Sequence, residues 1–173
     1  IFESNLDEFY MVRVSGLVEQ LWGGVVETSP DGLGPEEQLE RIATALAPMR
    51  RAASDAWTKE LAPALAASEV EVLAWEQLPA RRQAELRRWF EREVFPLCTP
   101  LVLDPAPSVP FISNRSLNLA VLIDDESAGT KLARVKIPTV LPRLVRVGRR
   151  GNAFVLLEDV IRQHLAYLFP HVA

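Results

Sequence analysis

Apolar side chains recur at Leu6, Phe9, Tyr10, Val14, Leu17, Val18 and Leu21, in steps of three and four that form one stripe of an α-helix. Ser4 reads as the N-cap of that helix, with Asp7 three residues on as the partner of a capping-box arrangement. The helix is expected to stop near Gly23-Gly24, and 28–34, with Pro30, Asp31, Gly32 and Gly34, reads as a turn-rich connection. Pro35, followed by Glu36 and Glu37, has the signature of a first helical turn. A second stripe follows at Leu39, Ile42, Leu46, Met49, Ala53, Trp57, Leu61 and Leu65. Pro48 and Pro63 lie inside it. Each removes a backbone donor and crowds the carbonyl four residues back, which predicts a kink at one and a break at the other. Two such helices make an αα-hairpin, the first domain, over residues 1–67.

The texture changes after Ser68. Val70, Val72 and Leu73 alternate with glutamates as a short strand. Leu78, Arg82, Leu86, Trp89, Phe90 and Val94 mark a third amphipathic helix, ending before Pro96. Four prolines between Thr99 and Pro110 (Pro100, Pro105, Pro107 and Pro110) predict an extended, irregular stretch. Strands are expected over 117–123, 132–137, 143–147 and 154–157, with a turn over 124–130 and a closing helix over 158–169. Residues 68–173 therefore read as a small antiparallel sheet with packed helices, and the whole chain as α+β.

Composition narrows the classes. Nearly half the residues are apolar and about a quarter charged, an ordinary globular profile. The net charge of −4 argues against a general nucleic-acid binder without excluding a local basic groove. No apolar run approaches the roughly 20 residues of a membrane helix. With one cysteine, Cys98, there is no internal disulfide; it reads as a small buried hydrophobe, and the cytoplasm is the expected compartment.

Three blocks, in order, carry a resemblance. They are Ser4-Asn5-Leu6-Asp7-Glu8-Phe9-Tyr10 with Val12-Arg13; Phe95-Pro96-Leu97-Cys98-Thr99-Pro100-Leu101 with Asp104-Pro105; and 110–120, PFISNRSLNLA, with Arg134-Val135-Lys136-Ile137-Pro138 and Leu141-Pro142-Arg143. Together they resemble the N-terminal helical domain and the head domain of type 1 polyphosphate kinases. The resemblance implies reversible transfer of the terminal phosphate between ATP and inorganic polyphosphate, with magnesium, through a phosphohistidine. In that family the histidine lies in phospholipase-D-like domains beyond the head. Here the histidines are His164 and His171, neither followed by a lysine two residues on. The expectation is a helical domain truncated at its start and a head domain truncated at its end, inactive alone. It would contribute ATP binding and dimer contacts, while the Mg2+ and phosphate contacts come from domains outside this chain.

Asn5 is the candidate ATP ligand. A carboxamide just inside a helix start both donates and accepts, which suits an adenine edge or a ribose hydroxyl. Asp7 and Glu8 in the first turn would repel phosphates there. The resemblance likewise implies an ATP contact at Asn5, and a local capping role is the competing reading. Asp7 and Glu8 point about 100° apart and read as helix-start electrostatics, not an acid–base pair. Phe9 and Tyr10 read as core in preference to a base-stacking platform, and Arg13 as the partner of an Asp or Glu in preference to an exposed phosphate contact. Trp22, Trp57, Trp75 and Trp89 read as core or interface anchors.

The arginines at 81, 82, 87, 88 and 92 alternate with Glu85, Glu91 and Glu93 as a solvated helix face. Arg143, Arg146, Arg149 and Arg150 are more concentrated; they either flank a polyphosphate path or decorate a solvated hairpin. Asn114 and Asn118 read as loop residues bonding the backbone. The alternatives in other classes are a non-catalytic helical and α+β interaction module and a lipid-headgroup binder, the latter disfavoured by the negative charge.

Overall fold

The computed structural model describes residues 1–25, 27–103, 112–125, 129–148 and 151–170. The chain forms two compact units, Ile1–Pro63 and Ala64–Ala173.

In the first unit, α1 (Phe2–Phe9) runs through a π-helical turn at Tyr10–Val14 into α2 (Ser15–Trp22). The stop is a Schellman arrangement: Val25 N–H donates to Gln20 O and Gly24 N–H to Leu21 O, with Gly24 at φ 66°. A glycine there avoids the steric penalty a side chain meets at positive φ. The return helix comprises α3 (Pro35–Asp55), a π-helical turn at Ala56–Leu61 and the start of α4 (Ala62–Ala67), whose residues from Ala64 on belong to the second unit.

The expected Ser4 cap is corrected. The helix already begins at Phe2, and Asn5 N–H donates to Ile1 O at 3.0 Å, so Ser4 has helical geometry and cannot cap. Glu3, not Asp7 or Glu8, occupies the first turn. Neither proline breaks its helix. Pro48 is exposed on an uninterrupted α3. Pro63 is the second residue of α4, just past the π-helical turn, whose wider winding relieves the clash with the Lys59 carbonyl.

Two helices bury only part of their apolar stripes. Leu6 and Leu17 are buried, as is the polar Gln38. Phe9 and Tyr10 are 38% and 37% exposed, so their expected packing into a core does not occur within this unit; of the two readings of Trp22, core or interface anchor, its 80% exposure removes the first within this unit. A helix pair has one shared seam, and side chains off that seam stay in solvent.

The second unit opens with β1 (Glu71–Val72) and a 3₁₀ turn at Trp75–Gln77. Next come α5 (Ala80–Trp89), a π-helical turn at Phe90–Val94 and a 3₁₀ turn at Phe95–Leu97. The strands are β2 (Pro100–Leu103), β3 (Asn118–Asp125), β4 (Gly129–Lys136), β5 (Leu144–Arg146) and β6 (Ala153–Leu156). Helices α6 (Leu157–Arg162) and α7 (Leu165–Leu168) close the unit, so the expected single closing helix is divided at Gln163-His164.

The class is α+β, and the single antiparallel sheet is refined into two. One is antiparallel, β2-β4-β3; the other, β1-β6-β5, pairs β1 with β6 in parallel and β5 with β6 antiparallel. Their inner faces meet α5, α6 and α7 in a core centred on Phe90, Val94, Val135, Val155, Leu157, Val160 and Ile161. Trp75 belongs to that core and Trp89 packs partly against it. Two expected segments fall partly outside the described residues: Asp104, Pro105, Pro107, Pro110 and Phe111, and positions 126–128 of the β3–β4 turn. The base of that turn is closed by Thr130 Oγ1 donating to Asp124 Oδ1 at 2.8 Å.

Candidate functional site

Asn5 lies on the solvent side of α1, held outward because the adjacent Leu6 turns into the seam. Its carboxamide makes no hydrogen bond among the described residues, which removes the competing capping role within them. On a helix the neighbours of Asn5 are Glu8 and Phe9, three and four residues on. Phe9 stands edge-on to Tyr10, with ring centroids 6.4 Å apart and planes at 81°. A free carboxamide one turn from an exposed aromatic pair offers hydrogen-bonding edges beside an apolar surface, a combination that fits a planar base.

Arg13 is spoken for by a different partner from the one expected. Its Nη2 donates to Gln38 Oε1 at 2.5 Å, while Gln38 Nε2 donates to Leu33 O at 3.0 Å. The buried carboxamide thus clamps the opening helix to the start of the return helix. A carboxylate there would accept from Arg13 but repel the Leu33 carbonyl; an amide satisfies both.

In the second unit, the concentrated arginines divide. Arg143 donates through Nε and Nη2 to Glu158 Oε1 at 2.8 and 2.6 Å, and this contact raises the Arg143 pKa above its ordinary value. Arg146 donates to Gly151 O at 2.7 Å and lies 5.2 Å over the Phe154 ring. Arg149 and Arg150 lie outside the described residues. The helix arginines behave as a solvated face, with Arg81 and Arg82 both on Glu85 and Arg92 on Glu93. Those contacts lower the Glu85 and Glu93 carboxyls below the usual range. Asn118 Nδ2 donates to Ser116 O and Oγ, the local bonding expected of it.

His164 is no phosphate acceptor as placed. It is 3% exposed, its ring stacks on Phe90 at 4.6 Å, and Nδ1 is 2.7 Å from Val160 O. His171 lies outside the described residues. Cys98 is half-buried against the core, and burial pushes its thiol pKa up. Its alkylation by iodoacetamide at neutral pH is expected to be severalfold slower than that of free cysteine, because less thiolate is present and access is restricted. A rate equal to free cysteine, followed by mass spectrometry, would contradict the packing.

Two pockets stand out in the second unit. One, of about 230 Å³, is lined by Arg82, Glu85, Leu86, Trp89 and 145–148. The other, of about 190 Å³, is lined by Leu97, Thr99, Leu101, Arg134, Lys136 and Pro138. The pairing of Arg134 and Lys136 was visible in the alternation of β4: Ala133, Val135 and Ile137 face the core, so the residues between them share the opposite face. Among the described residues no three His, Cys, Asp or Glu side chains come together to hold a metal, so no magnesium site is assigned to them. Among the described residues no helix is long and apolar enough to cross a membrane.

Residues 1–73 match the family described as Polyphosphate kinase N-terminal domain, and residues 81–173 match Polyphosphate kinase middle domain. Polyphosphate kinase 1 of Chlorobaculum tepidum is 41% identical over 179 residues, covering 98% of this chain and 26% of that protein. Polyphosphate kinase of Streptomyces coelicolor is 41% identical over 171 residues, covering 98% of this chain and 23% of that protein. The crystal structure of polyphosphate kinase from Porphyromonas gingivalis superimposes with a TM-score of 0.77 at 27% identity, covering all of this chain and 26% of that one. The chain therefore spans about a quarter of the length of these relatives. Two adjacent family domains in the expected order, with identity near 40% across almost every residue, place this chain in the polyphosphate kinase family.

Proposed function

We propose that this chain is the N-terminal and head portion of an ATP–polyphosphate phosphotransferase. The parent enzyme reversibly moves the terminal phosphate of ATP to inorganic polyphosphate through a phosphohistidine outside this chain, in the cytoplasm. Residues 1–67 act as the helical domain that meets the adenine side of ATP, through Asn5. Residues 68–173 act as the head domain, contributing dimer contacts. Magnesium and the transferring phosphate are handled by other domains, and the chain alone does not turn over.

The observation that supports the nucleotide role is the exposed carboxamide of Asn5, without a partner among the described residues, beside half-exposed Phe9. An amide in that position can donate to one base or ribose acceptor and accept from one donor at once. Each neutral hydrogen bond of this kind is worth about 0.5–1.5 kcal/mol. Asn5→Ala in the full-length enzyme is therefore expected to raise the KM for ATP roughly three- to tenfold, with the thermal midpoint unchanged. An unaltered KM and turnover would remove Asn5 from the site.

A further inference from the structure

We propose that Arg134 and Lys136, together with Thr99, form a binding site for an inorganic phosphate chain on the outer face of the β2-β4-β3 sheet. On β4 the two cations are two residues apart, so both project from the face opposite Ala133 and Val135. Across the sheet, Arg134 lies opposite Leu101 on β2 and Ala120 on β3, and Lys136 opposite Asn118.

The state of Arg134 carries the argument. Its guanidinium has no hydrogen bond or ion pair among the described residues, and its Nε is buried with no partner. A buried donor left unmatched is unfavourable, and native structures rarely keep one without use. The other half-buried arginine among the described residues, Arg82, is paired with Glu85. Lys136 Nζ donates to Ser113 Oγ at 2.9 Å, which spends one of its three donors.

The lining of the pocket fits a polyanion. It holds two cations, one hydroxyl and the apolar walls of Leu97, Leu101 and Pro138, with no carboxylate. Apolar walls lower the local dielectric and strengthen charge-assisted hydrogen bonds. A guanidinium offers a planar fork to phosphate oxygens, and an ammonium offers a point charge beside it. Their Cα atoms lie about 7 Å apart along the strand, and the two cations share one pocket wall.

That the chain is inorganic polyphosphate rests on the activity proposed above; the site itself rests on the geometry of β4. Titrating the 173-residue chain with sodium tripolyphosphate should move the side-chain 15Nε–Hε NMR signal of Arg134 and slow its solvent exchange. Arg134→Gln should raise the Kd roughly tenfold, and Lys136→Gln severalfold, with thermal midpoints checked for each. Arg134→Lys, which keeps the charge but loses the fork and Nε, should fall between wild type and Arg134→Gln.

A static Arg134 signal at saturating tripolyphosphate overturns the site, as does an unchanged Kd in both glutamine variants. Lys136 is exposed, so its variant tests the site even where Arg134→Gln unfolds. A response to ADP as strong as that to tripolyphosphate overturns the inorganic-chain assignment in favour of nucleotide phosphates. Neither failure touches the ATP contact at Asn5, which the KM measurement tests separately.

Discussion

Phe90→Ala is expected to destabilise the second unit by about 3–5 kcal/mol. The ring is fully buried, stacks on His164 at 4.6 Å and meets Phe95 and Tyr167 edge-on at 6.2 and 5.9 Å. Truncation removes the transfer free energy of the ring and leaves a cavity that its neighbours cannot close. These neighbours come from three separate elements: the turn after α5, the segment between α6 and α7, and α7 itself. Domains are stable by only about 5–15 kcal/mol, so the loss takes a large share of the margin. Phe90→Leu should recover about half, because it refills part of the volume. Urea denaturation followed by tryptophan fluorescence in a Trp22→Phe, Trp57→Phe background reads the unit, since Trp75 and Trp89 both belong to it. A cost below about 1 kcal/mol would mean the site collapses freely and the packing described is wrong.

Gln38→Ala is the second large effect, about 1–3 kcal/mol on the helical unit. The side chain is 9% exposed and both ends of its amide are used, by Arg13 and by the Leu33 carbonyl. Removing it strands the Leu33 carbonyl and frees the Arg13 guanidinium. The helical unit is sensitive to this because Leu6 and Leu17 are the buried aliphatic side chains its opening helix contributes. Gln38→Glu should also be unfavourable, since a carboxylate cannot donate to Leu33 O. Amide hydrogen exchange across 2–22 and 35–55 would report the loosening. A double-mutant cycle with Arg13→Ala isolates the clamp; a coupling indistinguishable from zero would show that the helices dock without it. Because Asn5 rides on the same helix, the clamp also sets how firmly the candidate ATP contact is presented.

Much of the fold was legible in one dimension. The stop at Gly24, the start at Pro35 and the strands at β3 and β4 follow from glycine stereochemistry, proline's locked φ and period-two alternation, all local properties of the backbone. The Ser4 cap was misread because Ser-x-x-Asp also fits the interior of a helix that starts earlier. The proline breaks were misread because a π-helical turn absorbs the clash at Pro63, and no residue type announces such a turn. Of the candidate site, Asn5 is proposed from its residue type near a helix start and from the family signature around it. Arg13 was given a carboxylate because charge was weighed without knowing that Gln38 would be buried opposite it. Arg134 was not singled out although 132–137 was read as a strand, because the lack of a partner for its Nε is a tertiary property.

Periodicity by itself determined which side chains share a face, namely the stripes of the opening helices and the core side of β4, while the three motif blocks carried the family resemblance. Which of those faces is covered was decided only by contacts between residues far apart in the chain. Phe9 and Trp22 stay in solvent because a hairpin of two helices has one seam, Arg143 is consumed by Glu158 fifteen residues on, and β1 joins β6 in parallel across most of the second unit. The physical reason is that a side chain's identity sets what it can bond, while its partner is chosen by the packing that sets which groups lose their water together.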